Sequence, residues 1–275
     1  MLKSLLTIAA GGYFLVCAGM YVFQRDFLYH RDPTRTPPAN ADLPDVTERI
    51  LKTPDGESLI AWYGRAQPGQ PTILYFHGNG GALEIRRERI RKYLNRGRGM
   101  FMLAYRGYSG STGAPTETAN IADAKLAYET LVKDGVRPDD IIIYGESLGT
   151  GVATQLAEGV KVRGLVLDSA YTSMLELAAE KYSWLPVRYL LKDKYLTRDY
   201  IARVHMPLLI LHGEADEIVP VRMGRELYAL ANEPKVIATL PGAGHNNHYQ
   251  FGSFEAINAW IDRLWAGEIG AKSKN

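Results

Sequence analysis

The run Ile141-Ile142-Ile143-Tyr144-Gly145-Glu146-Ser147-Leu148-Gly149 leaves this chain little freedom. Its β-branched residues form a short apolar block that reads as a buried strand. Glycines two before and two after Ser147 let a sharp turn pass close against a following helix, with the serine at its apex. In a strand-turn-helix setting this Gly-x-Ser-x-Gly pattern is a nucleophile elbow. The strained turn lifts the serine oxygen above the strand ends and aims the next backbone N–H at a developing oxyanion.

The elbow sits in a chain that mostly alternates strand and helix from Thr72 onward. Strands are expected at Thr72 to Phe76, Met100 to Tyr105, Gly164 to Asp168, Leu208 to Leu211 and Val236 to Leu240. Helices are expected from Ala82 to about Arg96, over Thr118 to Lys133, after the elbow, and over Phe254 to Trp265. Such alternation favours a mostly parallel sheet with helices on both faces, built from right-handed crossovers. Ahead of it, Thr47 to Leu51 and Leu59 to Tyr63 read as two strands around the turn Pro54-Asp55-Gly56. Between Ser169 and His205 the alternation breaks. Ala170 to Leu191 is helical in character and carries Tyr171, Tyr182, Trp184 and Tyr189. It reads as a short cap, about 170–200, over the serine, at the strand ends where open sheets place ligands. The alternative is that its aromatics pack into the main core.

A serine hydroxyl needs a base within hydrogen-bond reach, and that base an acid to hold it. After an elbow of this kind the acid and then the histidine follow in chain order. Asp216 lies just beyond Leu208 to Leu211, and His245 just beyond the last strand, behind Pro241-Gly242-Ala243-Gly244. Asp168 competes as acid, and His248 is the competing base. Glu214 and Glu217 read as solvated carboxylates, His77 and His212 as structural histidines, and His30 and His205 carry no signal. An oxyanion would be met by the N–H of Leu148 and one from the loop after Phe76, with Asn79 favoured. The run Gly78 to Gly81 lacks the pattern of a phosphate-binding loop, and His245 and His248 lack the Glu of a zincin. No metal and no cofactor is called for.

The first residues differ in kind. From Leu5 to Phe23 no charged residue appears, and as a helix this stretch is roughly 28 Å long, about a bilayer's hydrocarbon thickness. Lys3 precedes it, Arg25-Asp26 closes it, and Tyr21, Phe23, Phe27 and Tyr29 suit an interfacial aromatic belt. A cleaved secretory signal ending near Val16-Cys17-Ala18 is the alternative, but apolar residues continue past that site. The organisation expected is a membrane anchor over 1–24, a proline-rich connector over 25–46 and a folded domain over 47–275. Arg25, Arg31 and Arg35 outnumber Lys3 and lean the orientation towards a cytoplasmic domain with a single N-terminal pass. A net charge of +2 is too small to argue for a nucleic-acid partner. The only cysteine, Cys17, leaves no intramolecular disulfide to form. Oligomeric state is not specified. Arg86, Arg87, Arg89, Arg91, Lys92, Arg96 and Arg98 form either a headgroup-binding cluster or a solvated helix face.

Taken together, His77-Gly78-Asn79-Gly80, the loop Tyr105 to Ser111, Gly145-Glu146-Ser147-Leu148-Gly149, His212 to Pro220 and Gly244-His245 resemble the α/β-hydrolase superfamily. More narrowly, they are similar to its membrane-anchored abhydrolase-domain serine hydrolases. The resemblance implies an α/β-hydrolase fold, Ser147 as nucleophile, Asp216 as acid, His245 as base and acyl-ester hydrolysis. Substrates in that group include monoacylglycerols, lysophospholipids and S-acylated proteins. The expectation is therefore a membrane-tethered serine hydrolase of lipid-like esters. An acyl-protein thioesterase and a non-catalytic membrane scaffold are the alternatives.

Overall fold

Gly56, in left-handed backbone, closes the turn between β1 (Val46–Lys52) and β2 (Ser58–Gly64), which pair antiparallel from Val46↔Gly64 to Lys52↔Ser58. In this computed structural model, which describes residues 2–269, six more strands extend the sheet. They are β3 (Thr72–Phe76), β4 (Gly99–Leu103), β5 (Ile141–Glu146), β6 (Gly164–Asp168), β7 (Leu208–Gly213) and β8 (Lys235–Leu240). Their spatial order is β1-β2-β4-β3-β5-β6-β7-β8, and every pairing from β4 onward is parallel. The helices are α1 (Leu2–Leu28), α2 (Arg87–Leu94), α3 (Glu117–Lys133), α4 (Leu148–Gly159), α5 (Met174–Lys181), α6 (Val187–Leu190), α7 (Thr197–Ile201), α8 (Val221–Leu230) and α9 (Ser253–Trp265).

From β3 the chain steps one way to β4 through α2, and from β4 it steps the other way to β5 through α3. Right-handed crossovers then put α2 and α3 on opposite faces. α9 joins α2: Phe254 meets the Tyr93 ring edge-on at 5.1 Å, and Arg98 Nη2 donates to Asp262 at 2.5 Å. α4 packs beside α3 on the other face. Covered on both sides, β3, β4, β6 and β7 are buried throughout and β5 up to Gly145, as their apolar runs require. The α/β sheet, its direction and the helices α3, α4 and α9 are as the sequence pattern implies, whereas α8 is not among the expected helices and α2 starts only at Arg87, after a 3-10 turn.

Three further regions differ from the sequence reading. α1 runs to Leu28, past the charges at Arg25 and Asp26. Arg25 forks onto Asp193 at 2.8 and 3.1 Å, and Arg31 takes up Asp26 at 2.5 Å. Charge thus marks where the apolar stretch stops, not where the helix does. The segment that follows packs on the domain through buried Tyr29, Ala41 and Leu43. The basic run is no free cationic face either. Arg86 and Arg89 turn inward onto Glu146, Arg98 is buried against Asp262, and Arg87 and Arg91 meet Glu84 and Glu88. Finally, the cap is roofed by aliphatic residues. Trp184 is 59% and Tyr189 89% exposed, while Tyr171 is buried and donates to the Leu148 carbonyl at 3.0 Å.

Candidate active site

β3 and β5 lie side by side, yet the chain leaves them in opposite directions. This is the switch point of the sheet, where the loops at the strand ends part and leave a crevice. The loop after β3 carries His77 to Gly81, and the turn after β5 carries Ser147. Ser147 sits at φ +49°, ψ −116°, a conformation side-chain-bearing residues rarely adopt. Its N–H donates to the Asp168 carbonyl at 2.9 Å, and Thr150 returns to the Ser147 carbonyl through both its N–H and its hydroxyl, at 2.9 and 2.7 Å. The close approach of α4 to β3 requires Gly149: a Cβ there would lie 2.1 Å from the Phe76 carbonyl oxygen.

The loops after β7 and β8 bring two more side chains to this turn. His245 Nε2 stands 3.0 Å from Ser147 Oγ, and His245 Nδ1 stands 2.7 Å from Asp216 Oδ2. In the tautomer with the proton on Nδ1, the ring donates to Asp216 and accepts from the serine hydroxyl. The other carboxylate oxygen, Oδ1, accepts the N–H groups of Ile218 and Val219 at 2.9 and 2.8 Å. Burial pushes the Asp216 carboxyl up, but the bond and charge of His245 and these two N–H groups outweigh it, so its pKa lies below the ordinary value. Burial likewise pushes the His245 imidazole down, and Asp216 overcomes this to hold it above 6.5.

The competing residues are engaged elsewhere. Asp168 is wholly buried and accepts the Tyr144 hydroxyl at 2.6 Å. His248 lies 3.8 Å from Asp168 and not beside the serine. His77 is buried, with Nδ1 2.7 Å from the Gly78 carbonyl; burial first, then the Arg86 charge, lowers its pKa to about 3, so it is neutral. His212 Nε2 donates to the Val219 carbonyl at 2.8 Å, which shapes the loop that presents Asp216.

Asn79 and Leu148 line the same cavity as Ser147. The Asn79 side chain serves the loop: Oδ1 accepts from the His30 N–H at 3.0 Å and the Tyr108 hydroxyl at 2.9 Å, while Nδ2 donates to the Leu28 carbonyl at 2.5 Å. Among the described residues, the backbone N–H of Asn79 and that of Leu148 have no acceptor, so both can serve an incoming oxygen. Sequence reasoning passed over Glu146, the unspecified position of the elbow pattern. Its carboxylate accepts from the Gly78 N–H at 3.3 Å and the Tyr75 hydroxyl at 2.6 Å and pairs with Arg89 at 2.8 Å. It therefore ties the loop after β3 to the elbow. No spacing in the sequence signals this role.

The cavity above Ser147 measures about 240 Å³. Tyr171, Met174, Leu177, Leu185 and Leu190 form one wall, and Met20, Gln24 and Phe27 of α1 form another. The cap and α1 are pinned together there: Gln24 Nε2 donates to the Leu190 carbonyl at 3.0 Å, and Gln24 Oε1 accepts the Lys192 N–H at 2.7 Å. No group of side chains suited to holding a metal ion occurs among the described residues.

Residues 71–196 match a family profile described as alpha/beta hydrolase fold. An uncharacterized protein of Mycobacterium tuberculosis, Rv2307c, is 38% identical over 240 residues, 85% of each chain. The lysophosphatidylserine lipase ABHD12 of Danio rerio is 34% identical over 195 residues, which cover 63% of this chain and 51% of that one. Among solved structures, the esterase PF2001 of Pyrococcus furiosus superposes with a TM-score of 0.68 at 18% identity, over 86% of this chain and 98% of the other, a likeness of fold.

Proposed function

The chain belongs to the α/β-hydrolase superfamily, and on that premise we propose that it is a membrane-anchored serine hydrolase that cleaves lipid-like carboxylic esters. The observation that carries the reading is the continuous hydrogen-bonded line from Ser147 Oγ through His245 to Asp216. Ser147 attacks the acyl carbonyl while His245 takes its proton, and Asp216 holds the imidazole and stabilises its charged form. The carbonyl oxygen becomes an oxyanion facing the N–H groups of Leu148 and Asn79. His245 then protonates the leaving alcohol, and water, activated by the same imidazole, releases the acyl group from Ser147.

An apolar cavity against Ser147 suits an acyl chain better than a polar leaving group. α1, in which an 18-residue stretch has a mean hydropathy of 1.8, is long and apolar enough to cross a membrane, which favours an ester of monoacylglycerol or lysophospholipid type held in a bilayer. The lipase among the relatives points the same way.

The test is labelling with a fluorophosphonate, together with turnover of a monoacylglycerol and a lysophospholipid in mixed micelles. Label on the folded wild type is expected, with none on Ser147→Ala and turnover lower by about 10⁶-fold. An intact wild type that takes no label, or label retained by Ser147→Ala, would overturn the assignment.

A further inference from the structure

Between Tyr13 and Asp193 the chain offers a ruler. The cap runs beside α1: Tyr13 donates its hydroxyl to the Trp184 carbonyl at 2.9 Å, Gln24 meets Leu190, and Arg25 meets Asp193. Eleven helical steps lead from Tyr13 to Gln24, an axial distance of about 16 Å. The charge-free stretch of α1 extends from beyond Lys3 to just before Arg25, so the cap lies alongside roughly half of the ~30 Å that such a stretch spans.

A domain standing wholly in water would hold that half of the helix out of the hydrocarbon. The surfaces present there argue the opposite. Trp184 and Tyr189 project from the cap, and Phe14, Tyr21 and Phe27 project from α1, all exposed. Tyr21 and Phe27 lie towards the end of the span, where aromatic rings favour the membrane boundary, while Phe14 and Trp184 lie level with Tyr13, nearer its middle. The acidic groups of α5 are neutralised, Glu176 by Arg198 and Glu180 by Arg222. The neighbouring cations Lys181, Arg188, Lys192 and Lys194 have no carboxylate partner among the described residues. Lys192 instead lies 4.1 Å from the centre of the Tyr21 ring. Long cationic side chains can reach lipid phosphates while their stems stay in apolar surroundings.

We propose that the cap tip, Trp184 to Leu190, is sunk into the same leaflet as the second half of α1. The acyl chain of the ester then reaches Ser147 between α1 and the cap without passing through water. This rests on the reading of α1 as a membrane span. It adds that α1 is part of the substrate site, since Met20, Gln24 and Phe27 face the cavity that Ser147 shares.

The full chain is reconstituted in vesicles of a phospholipid brominated near the middle of its acyl chains. The emission of Trp184 is isolated by subtracting that of Trp184→Phe, since the other three tryptophans are unchanged. Trp184 is expected to emit at shorter wavelength than in detergent-free buffer and to be quenched at least about twofold. Trp184→Glu is expected to lower turnover of a vesicle-borne long-chain ester about tenfold relative to a short soluble one. If the protein floats with the vesicles and cleaves the soluble ester but Trp184 is not quenched, the sunken cap is wrong and the anchored hydrolase stands. Failure to float with vesicles would overturn both. An unchanged ratio of the two turnovers in Trp184→Glu would overturn the lateral route.

Discussion

Replacing Glu146 with glutamine tests whether the residue between Gly145 and Ser147 holds the elbow to the loop after β3. Burial pushes this carboxyl up, yet Arg89 and Arg86 hold it at about 2 against an ordinary 4.5. That difference corresponds to about 3 kcal/mol in favour of the ionised form at neutral pH. Its side chain is 20% and that of Arg89 11% exposed, so solvent screens the pair little. Removing one partner of a buried ion pair costs a similar amount, about 3 kcal/mol or more. Glutamine can still accept the Tyr75 hydroxyl but leaves the two guanidiniums uncompensated. Because the native pKa is depressed, the stabilisation is complete above about 4.5 and is lost as pH falls towards 2. Urea unfolding in detergent, followed by tryptophan emission, should therefore show Glu146→Gln less stable by about 3 kcal/mol at neutral pH. The gap should narrow on acidification. Its kcat should fall as the Gly78 tether loosens, and the pH profile set by His245 should move slightly to lower pH, because the Glu146 charge is among the groups that raise the imidazole's pKa. Equal unfolding midpoints at neutral pH, or a gap that ignores pH, would refute the account.

Hydrolysis should need neutral His245, so kcat/KM is expected to rise with pH as the imidazole loses its proton, at a pH above 6.5 because Asp216 raises its pKa against burial. In Asp216→Asn the raising partner is gone and burial remains, so that limb should move to lower pH and turnover should drop by about 10⁴-fold; a pH–rate series on both proteins reads both effects. Gly149→Ala places a methyl 2.1 Å from the Phe76 carbonyl oxygen and 2.7 Å from its carbon. Since backbone must move to admit it, a loss of about 3 kcal/mol or failure to fold is expected by denaturant titration, and near-normal stability would show that α4 and β3 are less tightly apposed.

Local patterns carried most of the sheet. β3, β5, β6 and β7 are apolar runs bounded by glycine or proline, and a run of that kind determines its own burial. Ser147, Asp216 and His245 were legible for a related reason: each ends or follows such a strand, and parallel strands deliver their ends to one rim. What escaped were features fixed by partners distant in sequence. α8 is the exception, since Met223, Leu227 and Leu230 recur at helical spacing just after Pro220 and mark it locally. The helix expected from Ala82 begins instead with a 3-10 turn, Leu83–Arg86, which swings Arg86 towards the Gly78 and Gly80 carbonyls. Seven basic residues in one segment suggest a cationic face until Glu146 and Asp262, roughly 60 and 165 positions away, are seen to draw three of them inward.

The same reasoning explains why reading α1 from hydropathy leaves out its docking against the cap. Hydropathy averages over the helix circumference, whereas docking uses one stripe. Tyr13, Met20 and Gln24 recur at spacings of seven and four, one face of a helix. Only the contacts at Trp184, the cavity and Leu190 show that this face is occupied. Gln24 is decisive, because its amide donates to one cap carbonyl and accepts from another cap N–H. A buried amide with both ends paired fixes direction and register in a way an apolar side chain would not. α1 therefore meets the cap in one alignment, and the wall it gives the cavity is set by the same bonds that join the two.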